Sequence, residues 1–91
     1  MFRVEWIEKA LDELAAAWTD SSSETRTLIN SAVAALDQQL KTNPFHRSES
    51  RQDELRVMFE YPLGILFEVE LSQRVASVLH AWRFRRRGET H

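Results

Sequence analysis

The side chains best suited to chemistry cluster in the last third of this chain: Arg56, His80, Arg83, Arg85, Arg86 and Arg87. A guanidinium group presents a rigid fork of donors to phosphate or carboxylate, and its high pKa lets it supply charge rather than protons. Arg83, Arg85, Arg86 and Arg87 therefore suit a phosphate or an acidic partner segment, against the plainer reading of a solvated chain end. Arg56 has a plainer reading too, a cross-strand ion pair with Glu68. His80 sits at the end of an apolar run, whereas His46 and His91 fall in polar surroundings, and no two of the three have metal-ligand spacing. The chain has no cysteine, so neither a thiolate metal site nor a disulfide framework exists. No metal or cofactor is expected.

The elements that must position these groups are constrained by size and charge. At 91 residues the chain makes one domain, residues 1–91, with a basic tail at 83–91 and a thin core that one sheet and two helices would fill. Its hydrophobic fraction of 43% and charged fraction of 29% are those of a globular protein. No unbroken apolar run is longer than the five residues Leu14 to Trp18, far short of a membrane span or a signal-peptide core. The net charge of −2 hides a division: residues from 74 onward carry +4 and residues 1–73 carry −6. An acidic body with a basic end argues against avid nucleic-acid binding.

Residues 2–6 alternate apolar and charged, the pattern of a half-buried strand. Ile7, Leu11, Leu14 and Trp18 then form one helical stripe. Asp20 to Ser23 is a turn, with Ser21 and Glu24 spaced as a capping box. A second helix buries Leu28, Ile29, Ala32, Val33, Leu36 and Leu40 and stops at Asn43-Pro44. Residues 45–53 read as a polar loop, with Phe45 as an anchor. Three alternating strands follow, turning at Tyr61-Pro62-Leu63 and at Ser72-Gln73, the last running from Arg74 to about Arg83. The order β-α-α-β-β-β gives an α+β fold, an antiparallel sheet with a helical hairpin on one face.

Register decides which side chains share a face. With residues 61–63 as the first loop, Leu55 meets Val69, Val57 meets Phe67 and Phe59 meets Ile65. A two-residue second turn sets Phe67 against Val78 and Val69 against Ala76. The face left uncovered by the helices then carries Arg56, Met58, Leu66, Glu68, Ser77, Leu79, Ala81 and Arg83. Met58, Leu66 and Leu79 there form an apolar patch that marks a docking surface. His80 falls on the helix side beside Ile65, and a bulge would reverse that. Trp6, Trp18 and Trp82 fit buried stripes better than base-stacking platforms.

Taken together, Val4-Glu5-Trp6 with Ala10 and Leu14, Leu40 through Asn43-Pro44, Leu55-Arg56-Val57, the stretch Pro62 to Val69, and Val78-Leu79-His80 with Arg83 resemble the RelE/ParE toxin superfamily over nearly the whole chain. The order of these pieces carries the likeness; no single one is diagnostic. The resemblance implies a small cytoplasmic toxin of a two-gene module, wrapped and blocked by a partner antitoxin.

The superfamily holds two chemistries. RelE-like members cut mRNA on the ribosome with basic residues on the second strand, an arginine opening the third, an arginine ending the fourth and usually a later tyrosine. On that pattern Arg56 and Arg83 match as catalytic residues of a nuclease. Met58 stands where a second basic residue belongs, Gly64 replaces the third-strand arginine, and no tyrosine follows Tyr61. Cutting RNA by 2′-hydroxyl attack needs a base and an acid as well as cationic stabilisation, and arginine supplies mainly the last. ParE-like members inhibit DNA gyrase and lack this set. The resemblance therefore implies a ParE-like or catalytically reduced toxin, with Met58, Leu66, Leu79, Arg85, Arg86 and Arg87 meeting target or antitoxin. The alternatives are a RelE-like endoribonuclease acting on the ribosome with mRNA, or a non-toxic relative.

Overall fold

A computed structural model describes residues 1–52 and 54–85. Its elements are β1 (Arg3–Trp6), α1 (Glu8–Thr19), α2 (Ser23–Thr42), β2 (Ser48–Ser50), β3 (Leu55–Glu60), β4 (Leu63–Glu70) and β5 (Val75–Arg83). The strands form one sheet in the order β1-β5-β4-β3-β2, with β1 parallel to β5 and every other pairing antiparallel. This is the expected α+β fold, with one strand added and with β1 parallel to its neighbour where an antiparallel sheet was expected. Residues 48–50, expected in a loop, pair with β3 along its outer edge.

Both helices pack on one side of the sheet. Ala10 of α1 and Ile29, Ala32, Leu36 and Leu40 of α2 meet Met58, Leu63, Ile65, Phe67, Val69, Ala76, Val78 and Ala81 in one core. The α1 stripe is only half used: Ala10 is buried and Leu14 packs on the core, while Ile7, Leu11 and Trp18 stay exposed. Leu28 of α2, expected in the core, is exposed as well. The α2 cap differs by one residue from expectation, because Ser22 rather than Ser21 accepts the Thr25 N–H, at 3.2 Å. Ser21 is instead buried, its hydroxyl donating to the Ala17 carbonyl at 2.6 Å.

The main correction concerns register. The first hairpin closes through Tyr61 and Pro62 alone, so Glu60 pairs with Leu63, Met58 with Ile65, Arg56 with Phe67 and Leu55 with Glu68. Every side chain of β3 is thereby on the opposite face from that expected. The pattern could not choose between registers because both faces of this hairpin are apolar at their middle: Met58 opposes Ile65 on one side and Val57 opposes Leu66 on the other. The two-residue turn wins a core position for Leu63, which is fully buried.

In the second hairpin, Phe67 pairs with Val78 and Val69 with Ala76, as read from the sequence. The turn itself spans Leu71 to Arg74, and Arg74 takes a positive φ of 53°. Past Val78 the ladder shifts: Leu66 pairs with His80 and Ile65 with Ala81, leaving Leu79 as the extra residue of a bulge. The bulge turns Ala81 and Arg83 to the helix side and His80 away from it. Thus Met58, Ala81, Arg56 and Arg83, all expected on the open face, belong to the helix side.

Candidate functional site

The two arginines matched to a nuclease brace opposite ends of α2. Arg56 Nε donates to Ser48 Oγ at 2.8 Å, a second nitrogen reaches the Ser48 carbonyl at 3.3 Å, and the guanidinium lies 5.2 Å from the Phe45 ring centre. Phe45 lies in the loop after α2, and Ser48 opens β2. Arg83 donates to the buried Ser21 Oγ at 2.7 Å, in the turn that precedes α2. Their strand partners Phe67 and Leu63 are four residues apart on β4, roughly 13 Å along the strand, and the two guanidinium groups are held by different partners, Ser48 and Ser21, rather than converging on one point. The expected Arg56–Glu68 pair does not form, since Glu68 opposes Leu55 on the other face.

On the open face, register brings together residues that sequence spacing kept apart. Phe59, Gly64 and Trp82 form one row across β3, β4 and β5. A Cβ on Gly64 would come within 2.7 Å of the Trp82 indole, so only glycine lets that ring lie flat over the strand. Trp82 then reaches Phe59 edge to face at 6.1 Å, Phe59 meets Phe84 at 5.4 Å, and Phe84 meets Tyr61 at 5.8 Å. The Phe84 N–H bonds to the Pro62 carbonyl at 2.9 Å, which carries β5 one residue further and fixes the shelf. Trp82 is therefore not a core tryptophan, and the position expected of a third-strand arginine lies beneath an indole. A glycine inside a strand pattern signals such a close approach; only the register shows which ring makes it.

Below this shelf the face turns acidic. The next rows hold Val57, Leu66 and His80, then Leu55, Glu68, Ser77 and Glu5, with Glu49 beside Val57 and Glu70 beside Val75. Among the described strand residues the only arginine or lysine on this side is Arg3, paired with Glu5 at 3.2 Å. Of the other residues expected to bind a partner, Leu66 is half-buried on this face, Leu79 occupies the bulge and Arg85 is exposed. Met58, at 2% exposure, has no surface to offer. Arg86 and Arg87 lie outside the described residues.

His80 gains a partner that no sequence spacing announces. β1 ends at Trp6, and after the Ile7 N–H bonds to the Val78 carbonyl the outer edge of β5 has no neighbouring strand. Glu13 of α1 fills that gap: its Oε1 accepts the Ala81 N–H at 3.1 Å and lies 3.2 Å from His80 Nδ1, with Oε2 at 3.3 Å. Burial pushes the Glu13 carboxyl up, but the Ala81 N–H, the His80 ring and Lys9 together outweigh it and hold the group below its ordinary value. A carboxylate on Nδ1 leaves Nε2 as the acceptor nitrogen, an arrangement suited to proton transfer. Among the described strand residues the one arginine on this face, Arg3, pairs with Glu5 and sits opposite Val75, five residues before His80 on β5.

Between the helices, Leu11, Leu14, Ala15, Trp18, Ile29 and Val33 line an apolar groove of about 410 Å³. Trp18 is held in place: its Nε1 donates to Asn30 at 3.2 Å, and Arg26 stacks on its ring at 4.3 Å while donating to the Trp18 and Thr19 carbonyls. Leu11 and Trp18 are 48% and 39% exposed, so the groove is an open apolar surface.

No family model and no curated protein matches the sequence. Solved structures do match its shape. The RelBE2 toxin-antitoxin complex from Mycobacterium tuberculosis aligns with a TM-score of 0.74 at 9% identity, over 90% of this chain and 90% of that one. The chromosomal ParDE system from P. aeruginosa aligns at 0.68 and 16% identity, over 93% and 98%. The isolated RelE toxin of E. coli aligns at 0.62 and 14% identity, over 97% and 89%.

The chain has the RelE/ParE toxin fold.

RelE and ParE structures alike align over nearly their whole length, so the shape does not separate the two subtypes. On that fold this chain carries an open sheet face of aromatic and acidic side chains, with Arg56 bonded to Ser48 and Arg83 to Ser21 on the helix side.

Proposed function

We propose that this chain is the toxin of a type II toxin-antitoxin module, neutralised by an antitoxin and acting by binding a macromolecular target, as ParE-like toxins bind DNA gyrase, rather than by cutting mRNA. The observation that carries this reading is the open face itself. The Trp82 indole lies over Gly64, where the resemblance expects the third-strand arginine, Arg56 and Arg83 are tied to Ser48 and Ser21 on the helix side, and the exposed carboxylates of Glu49, Glu68 and Glu70 would repel an RNA backbone. The antitoxin is assigned to the groove between α1 and α2, where a rigid Trp18 and exposed Leu11 offer the apolar anchors that an amphipathic helix needs. Neighbours of the same fold solved as toxin-antitoxin complexes support such a partner.

Induction without antitoxin tests the reading. Growth should stop, supercoiling by purified gyrase should fall in the presence of the protein, and primer extension on translated mRNA should show no new ends. New ends that vanish in Arg56→Ala would overturn it in favour of the nuclease, and normal growth would favour a non-toxic relative.

A further inference from the structure

The open face has two zones, and their chemistry specifies an occupant. At one end Phe59, Trp82, Phe84 and Tyr61 form a continuous edge-to-face shelf. At the other, Glu49, Glu68 and Glu70 are exposed. The ion pairs Arg3–Glu5, Lys41–Asp37 and Arg47–Glu60 among the described residues involve none of these three carboxylates, and Glu70 accepts from the Ser72 N–H at 3.2 Å. Half-buried Leu66 and buried Val57 bridge the zones. Along β4 the shelf row at Gly64 precedes Glu68 by four residues and Glu70 by six, roughly 13 and 20 Å.

We propose that this face docks an extended polypeptide segment whose aromatic or aliphatic side chain seats on the Phe59–Trp82–Phe84 shelf and whose lysines or arginines, about four to six residues away, pair with Glu68, Glu70 and Glu49. The aromatic shelf alone would equally suit stacked bases. The carboxylates decide against nucleic acid, because a phosphate backbone is repelled by Glu49, Glu68 and Glu70, none of them ion-paired among the described residues, whereas the lysines or arginines of a basic peptide are attracted to all three. This inference deepens the binding reading by naming the chemistry of the target segment. It is tested on purified protein, so it can fail while induced toxicity stands, or hold in a chain that proves non-toxic.

Fluorescence anisotropy on the full chain would use three labelled probes: a short peptide with tryptophan and leucine at one end and three arginines at the other, the same peptide with glutamates for the arginines, and a short single-stranded RNA. The basic peptide should bind, weakening with salt, and the acidic peptide and RNA should not. The double variant Glu68→Lys with Glu70→Lys should weaken the basic peptide about tenfold and strengthen the acidic one. Both sites are exposed, so the variant should fold, and Glu68→Gln with Glu70→Gln gives a milder loss in the same direction. Equal binding of the two peptides, binding of neither, or preference for RNA would overturn the proposal.

Discussion

The two faces of this sheet are built from neighbouring residues in the same strands yet follow different rules. The helix side is closed: Met58, Ile65, Phe67, Val78 and Ala81 fill one apolar layer, and even its arginines have partners, Arg56 in Ser48 of β2 and Arg83 in Ser21 of the turn before α2. The open side is less closed: its aromatic rings contact one another, Leu66 is only half-buried, and Glu49, Glu68 and Glu70 take part in none of the ion pairs among the described residues. The difference teaches that arginine content does not locate a site. A one-residue choice of turn and one bulge moved Arg56 and Arg83 from a surface that could act to a layer that supports.

The comparison would break most visibly at Phe67 and Leu66, adjacent residues on opposite faces. Phe67→Ala removes a fully buried ring and should cost about 3–5 kcal/mol by urea denaturation. Leu66→Ala should cost about 1 kcal/mol or less. Equal losses would mean that both faces are core.

Gly64→Arg comes next, because it restores the arginine expected by resemblance at the cost of the shelf. The new Cβ would collide with the Trp82 indole, so stability should drop by about 1–3 kcal/mol and tryptophan emission should shift red. No RNA cleavage should appear. An unchanged spectrum would show that the indole does not lie over Gly64.

A smaller effect distinguishes bracing from binding at the arginines. Arg83→Ala leaves the buried Ser21 hydroxyl without its donor, and about 1 kcal/mol should be lost, with a similar loss for Arg56→Ala. Neither variant should alter binding of a basic peptide to the open face.

The smallest expected effect is a pH dependence at the free edge of β5. Glu13 is held below its ordinary value in the fold, so the unfolded chain takes up its proton first as pH falls. Its contribution to stability is therefore full above the unfolded carboxylate pKa of about 4.3 and is lost as pH falls through the lower folded value. Glu13→Gln should lower the denaturation midpoint at neutral pH, and the gap from the parent should close in acid. A gap independent of pH would mean that Glu13 acts there only by packing.

Much of the fold was legible. The opening strand, the helix pair ending at Asn43-Pro44, the three later strands and the Phe67–Val78 and Val69–Ala76 pairings all follow from periodicity and turn residues. The site was not, for three physical reasons. Alternation cannot set register where both faces are apolar, as at Met58 and Val57. A bulge leaves no mark in a run such as Val78-Leu79-His80. Contacts between Glu13 and His80, or Trp82 and Gly64, join residues far apart in sequence through pairings that only the assembled sheet defines. Gly64 was the one local hint.

The direct test of this account uses the absence of cysteine from the chain. Single cysteines placed at the adjacent positions Met58 and Phe59 would report which side of β3 faces solvent, through the rate of thiol labelling in the folded protein. The register described here predicts that Phe59→Cys, at a site 40% exposed, labels at least about a hundredfold faster than Met58→Cys, at a site 2% exposed. The reverse order, with the cysteine at 58 open and that at 59 protected, would return Arg56 to the open face and contradict the account.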